Sequence, residues 1–262
     1  MQCVLSAAGK IGMTMRNLLV KIKYDGRNYH GWQVQENGIT VQEDFQKALY
    51  QVTGERPDIK GCSRTDSGVH ANMFCISFRT DHSIPAGRLP HALNRFLPDT
   101  IAAFDAREVP HDFHARYSCK GKEYVYKIHN AEFRDPFLEG YALHYWQRLD
   151  DKLMSQAAVH FLGTHDFTSF CTVDHSRRKG DFHRTVQNIS VDRAGDIVTV
   201  TVQADGFLYN MVRIIVGTLL YTAQGKISPD DIPAIIASLD RSKAGPTAPP
   251  QGLYLNRVFY DL

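Results

Sequence analysis

A chain of 262 residues with 43% hydrophobic content holds enough apolar material for one large domain or two of ordinary size, which excludes a disordered or low-complexity protein. Its 30 basic and 28 acidic residues leave a formal charge of +2, so bulk charge neither demands nor excludes nucleic acid, and only a local basic patch decides that. No apolar run reaches the length of a bilayer span, and five cysteines (Cys3, Cys62, Cys75, Cys119 and Cys171) without CxxC spacing indicate neither a disulfide framework nor a zinc knuckle, which favours a reducing cytoplasm.

Residues 1–14 are mildly apolar with one charge, Lys10, and read as a poorly ordered extension ahead of Met15. Leu18, Val20, Ile22 and Tyr24 alternate with polar residues, the pattern of a half-buried strand. A polar loop from Asp25 to Ile39 follows. Thr40 and Glu43 then predict a capping box at the start of a helix whose apolar stripe is Val41, Phe45, Ala48, Leu49 and Val52. A short segment, Asp58 to Cys62, leads to Ser63-Arg64-Thr65-Asp66-Ser67-Gly68-Val69-His70-Ala71, read as an exposed tight turn, and then to a strand from Phe74 to Phe78. Ser83 and Pro85 predict a second helix as N-cap and early-turn proline, and Ile101 to Phe104 another strand.

The second half repeats this alternation. Glu123 to Ile128 is strand-like, with Tyr124, Tyr126 and Ile128 on one face. Asp150 caps a helix with the stripe Leu153, Met154, Ala157, Ala158 and Phe161, ended by Gly163. Two runs, Val186–Val191 and Ile197–Val202, form a hairpin around Ala194-Gly195-Asp196. Asn210 to Gln224 is an apolar helix, Ser228-Pro229 starts one more through Leu239, and a stiff loop ending at Gly252 precedes a last strand, Leu253 to Tyr260. Hairpins and about four strands per half predict an α+β fold with antiparallel sheets. There is no GxGxxG or P-loop lysine motif to seat a nucleotide cofactor.

Four residues stand out for chemistry. Asp66 is a lone carboxylate in a turn just ahead of a strand, where it either caps its own backbone or acts on a substrate. Arg213 sits inside Met211-Val212-Arg213-Ile214-Ile215-Val216, where it either snorkels to water or needs a partner, and Asp66 is the candidate. That pair would keep the carboxylate ionised and nucleophilic. Tyr124 either packs in the core or offers its ring to a nucleobase. Arg64 stands two residues before Asp66. Basic clusters at Arg116, Lys120 and Lys122 and at Arg177, Arg178, Lys179 and Arg184, the latter with Phe182 and His183, are solvated charge runs or phosphate contacts. Twelve histidines include no HExxH and no matching ligand pairs, which argues against a catalytic metal, and His70 is expected to be structural.

In order, the pieces Tyr24-Asp25-Gly26 through His30-Gly31-Trp32-Gln33, Thr40-Val41-Gln42, Arg64-Thr65-Asp66, Lys122-Glu123-Tyr124-Val125-Tyr126, Gly163-Thr164-His165-Asp166-Phe167, Phe207-Leu208-Tyr209-Asn210-Met211-Val212-Arg213 and Ala244-Gly245-Pro246-Thr247-Ala248-Pro249 resemble the tRNA pseudouridine synthase A family nearly end to end. The resemblance implies an isomerase that converts uridines at positions 38 to 40 of the tRNA anticodon stem-loop to pseudouridine, after flipping the base. It implies two pseudo-symmetric α+β halves, 15–115 and 116–262, around one antiparallel sheet with the active cleft between them. It also implies a homodimer that uses no cofactor and no metal. On this reading Asp66 is the nucleophile, Arg213 its partner, Tyr124 the ring against the uracil and a candidate for removing the C5 proton, and Arg64 fills the vacated place or holds a phosphate. Two positions depart from the family, which more often has glycine at Ser63 and alanine at Ser67. The rival readings are a noncatalytic RNA-binding module and a metal-dependent hydrolase.

Overall fold

The computed structural model describes residues 15–172 and 181–262. The expectations for residues 1–14, for His175 and for the basic run 177–179 lie outside the described residues. Strand β1 (Arg16–Tyr24) leads through the polar loop to helix α1 (Val41–Thr53), followed by β2 (Lys60–Gly61), β3 (His70–Thr80), α2 (Leu89–Leu93) and β4 (Ile101–Val109). Then come β5 (Gly121–His129), β6 (Leu143–His144), α3 (Asp151–Ala158), β7 (Gly163–Asp166), β8 (His183–Ala194), β9 (Ile197–Ala204), α4 (Met211–Ala223), α5 (Ile232–Ala237) and β10 (Leu253–Phe259).

These strands form one mixed α+β sheet in the order β4-β1-β3-β10-β5-β9-β8-β7, with β2 on β3 and β6 on β5. It is mainly antiparallel, with short parallel contacts between β6 and β5 and between β10 and β3, the latter pairing Tyr254 with His70 and Leu255 with Ala71. This last contact places the strand that follows the Asp66 turn beside the last strand of the chain. Phe74 to Phe78 are buried in succession, as in a strand covered on both faces, whereas β9 buries only Val198, Val200, Val202 and Ala204 in alternation. The hairpin turns at Gly195, with Ala194 opposite Ile197.

Helix α4 is almost wholly buried, and the stretch before β10 crosses it closely. A Cβ at Gly217 would collide with the carbonyl of Pro246, so only glycine admits this approach. Gly245 N–H donates to Thr218 Oγ1 at 2.9 Å, and Tyr126 Oη donates to Pro249 O at 2.7 Å, tying the same stretch to β5.

Three local expectations need correction. Thr40 Oγ1 accepts from the Glu43 N–H at 3.4 Å, but Glu43 Oε1 turns to Lys47 Nζ at 2.8 Å, so half of the capping box forms. The second helix begins not at Ser83 but in a 3-10 turn, Ala86–Arg88, because Pro85 lies outside it at ψ 135° and no side chain caps it. The helix after Ser228 is shorter than expected: its capping box with Asp231 forms, yet the α-helix ends at Ala237 and Leu239 lies beyond it at φ +52°.

Candidate active site

Asp66 opens a four-residue turn closed by Val69 N–H donating to Asp66 O at 3.2 Å. Gly68 occupies the third position at φ +78°, which side chains resist and which gives glycine its place in a type II turn. The turn is less exposed than its composition suggests: Thr65 and Val69 are buried and Asp66 is half-buried. The polar loop from Asp25 to Ile39 clamps it. Trp32 N–H donates to Thr65 O at 3.3 Å, Gly68 N–H to Tyr29 O at 3.2 Å and Ser67 Oγ to Tyr29 O at 3.2 Å. Thr65 Oγ1 lies 2.7 Å from Tyr24 Oη at the end of β1.

Arg213, from the first turn of α4, donates from Nη1 to Asp66 Oδ2 at 3.1 Å. The two side chains are 15% and 25% exposed, so the pair is largely desolvated. Nη1 also donates to Asn210 Oδ1 at 2.9 Å, and Nε to Ala248 O at 2.7 Å. Ala248 N–H in turn donates to Arg213 O at 3.0 Å, so the guanidinium is held by the loop that crosses α4. Asn210 caps the helix at φ +62° and reaches Thr172 Oγ1 with Nδ2 at 3.0 Å. The arginine is thus paired rather than snorkelling. The expectation that the pair holds the carboxyl down meets a competing effect. Burial pushes Asp66 up, the Arg213 charge and hydrogen bond pull it back, and the carboxyl stays above its ordinary value.

Tyr124 on β5 is buried, its ring edge-on to Phe207 at 5.0 Å and its Oη 3.2 Å from Ser63 Oγ. A glycine at Ser63 would lack this partner. Burial pushes the Tyr124 phenol well above its ordinary value. Asp66, Arg213, Tyr124 and Arg64 all line one cleft of about 760 Å³. Arg64 is exposed and has no hydrogen bond or ion pair among the described residues. Arg116, Lys122 and Phe182 also line the cleft. Lys120 does not, and lies 3.3 Å from Asp261.

His70 is buried and bridges two backbones. Its Nδ1 accepts from Gly26 N–H at 3.1 Å and its Nε2 lies 3.0 Å from Gly140 O, with burial holding the ring below its ordinary value. Among the described residues no three His, Cys, Asp or Glu side chains converge as metal ligands, and no helix is long and apolar enough to cross a membrane. Sequence reasoning gave no site role to Asn210, Ala248, Thr172 and Phe207, and noted Ser63 only as a departure from the family. Only Asn210 carried a signal, as a residue tolerant of positive φ just before an apolar helix.

A carboxylate paired with a guanidinium in a cleft with a buried tyrosine, on a large and mainly antiparallel sheet, suits attack on a bound ring or sugar. The sequence model described as tRNA pseudouridine synthase matches residues 21–118 and 157–261. The chain belongs to this family, and so to an isomerase family of enzymes. It is 48% identical over 246 residues to tRNA pseudouridine synthase A of Thermoanaerobacter sp. (strain X514), covering 94% of this chain and 100% of that one. The tRNA pseudouridine synthase A of Acetivibrio thermocellus is also 48% identical, with the same coverage. A solved Cbf5-Nop10-Gar1 complex overlaps 77% of this chain and 53% of its own at 11% identity and a TM-score of 0.36, too loose a likeness to support any inference.

Proposed function

We propose that the chain isomerises uridines at positions 38 to 40 of the tRNA anticodon stem-loop to pseudouridine, as a cytoplasmic homodimer in which each chain has two pseudo-symmetric halves, 15–115 and 116–262. The observation that carries the reading is the Arg213–Asp66 pair in the cleft. The target base leaves its stack at a cost of a few kcal/mol, and Arg64 takes the vacated place or the flipped nucleotide's phosphate. Asp66 attacks C6 of the uracil or C1′ of the ribose, the N1–C1′ bond breaks, the base turns and C5 bonds C1′. The bond to Asp66 then breaks, C5 loses its proton to solvent and N1 gains one. Arg213 favours the ionised carboxylate that such attack requires. Tyr124 meets the base as a neutral ring. Burial disfavours the phenolate that would remove the C5 proton, so packing is the role assigned to it.

Every atom of the product comes from the substrate, so the isomerisation needs no cofactor, and the mechanism as written uses no metal. Asp66→Ala, tested on a tRNA transcript, should abolish pseudouridine formation while leaving binding largely intact, and turnover retained by that variant would overturn the mechanism. Activity lost to chelator and restored by zinc would favour the hydrolase reading instead.

A further inference from the structure

Beside the catalytic cleft lies a second hollow of about 260 Å³, and Ser63, Arg64 and Arg116 line both. It falls just below the ~300–1,000 Å³ of an ordinary ligand pocket, which suits one nucleotide unit rather than a second helix. Tyr117 stands at its edge with 78% of its surface exposed. Its ring is braced by the His114 ring, centroids 4.4 Å apart. His114 Nδ1 accepts the N–H groups of both Arg116 and Tyr117, at 3.0 and 3.3 Å, so the histidine fixes the backbone that presents the tyrosine. Burial, and after it the charge of Lys60, holds His114 below its ordinary value. A neutral ring that accepts at Nδ1 carries its proton on Nε2, a donor with no partner among the described residues.

The charges point the same way. Lys60, Arg64 and Arg116 line the hollow against one carboxylate, Asp58. Asp58 pairs with Lys60, but the two side chains are 79% and 43% exposed, so the pair is weak and readily exchanged. Arg64 and Arg116 have no carboxylate partner among the described residues. The Arg116 guanidinium lies over the Tyr117 ring, 5.9 Å from its centroid, and a braced, exposed aromatic ring beside cations that lack carboxylate partners is a platform for a base with its phosphate. We propose that this hollow is a subsite for the nucleotide next to the target on the RNA strand. Its base stacks on Tyr117 and its phosphate lies against Lys60 and Arg116, while Arg64, between the two hollows, stays with the target nucleotide. The subsite rests on the synthase reading of the cleft, but binding tests it apart from turnover.

The experiment uses the full chain carrying Asp66→Asn and an anticodon stem-loop RNA with 2-aminopurine beside the target uridine. Binding should change the probe's fluorescence. Adding Tyr117→Ala should remove that change and weaken binding roughly 5- to 150-fold, the range of one lost base–aromatic stack. On an RNA abasic at that position, Tyr117→Ala should cost nothing further. Lys60→Gln should lower the slope of log affinity against log salt by about 0.7. Tyr117 is exposed, and Lys60→Gln keeps the stem of a half-buried side chain, so a thermal melt of each variant checks the fold. Unchanged fluorescence and affinity with Tyr117→Ala, or a loss undiminished on the abasic RNA, would overturn the subsite. If these binding results hold while the wild-type chain makes no pseudouridine, the synthase reading fails and the subsite stands.

Discussion

Arg213→Met removes three hydrogen bonds at once and leaves Asp66 without its cation. Removing one member of a buried ion pair costs about 3–5 kcal/mol. Here 15% and 25% of the two side chains stay exposed, which places the loss near the lower end, about 3 kcal/mol. For a chain of this size each kcal/mol lowers Tm by about 2–4 °C, so Tm should fall by about 6–12 °C. The effect on activity is separate. Burial already raises the Asp66 carboxyl and Arg213 is what opposes it, so the acid limb of kcat/KM should move to higher pH in the variant. Arg213→Lys should return part of that limb but little of the stability, because an ammonium cannot reach Asp66, Asn210 and Ala248 together. The assay is pseudouridine formation on a tRNA transcript across pH, with thermal melts alongside. An acid limb and rate unchanged in Arg213→Met would refute the pairing as a functional element.

Three further outcomes follow from the same geometry. The raised Asp66 carboxyl favours folding while it is protonated and loses that contribution as pH rises through its folded value. The stability difference between Asp66→Asn and wild type should therefore move in the variant's favour as pH rises from the ordinary carboxylate range through the raised folded value, read by urea unfolding, and a pH-independent difference would contradict the burial argument. Gly217→Ala should lose about 1–3 kcal/mol despite alanine's better helix propensity, because its Cβ strikes the Pro246 backbone. It should also lower kcat through Ala248 and Arg213, and a stabilised, fully active variant would show that the loop gives way. Asn210→Ala and Asn210→Gly should both slow turnover by freeing Arg213. Alanine should melt lower than glycine by about 1–2 kcal/mol at φ +62°, and equal melting would mean that the backbone strain is absent.

Part of this site was legible in the sequence for one physical reason, that residues which violate their surroundings need partners, and the roles of Asp66 and Tyr124 came from the family resemblance. An arginine among Val212, Ile214 and Ile215 has to find a counter-charge or water, and it finds Asp66, 147 residues away. Tyr124 was visible through strict alternation on β5. The net rise of the Asp66 carboxyl was not visible, because burial depends on how the loop from Asp25 to Ile39 closes over the turn. Ala248 was equally hidden, since any residue supplies a carbonyl and only the tight crossing at Gly217 brings this one to Arg213. The serine at Ser63 looked like a small departure, yet its hydroxyl is the partner of Tyr124. Helix starts failed where proline stood outside the helix, as at Pro85, and held where the cap oxygen reached the first turn, as at Asp150.

The central claim is that Asp66 in this cleft makes pseudouridine in the anticodon stem-loop. The most direct test is nucleotide-resolution mapping of pseudouridine in unmodified tRNA incubated with the purified wild-type chain and with Asp66→Ala. The account predicts new pseudouridine at positions 38 to 40 with the wild type and none with the variant. Modification confined to other positions, or the same map from both proteins, would contradict it.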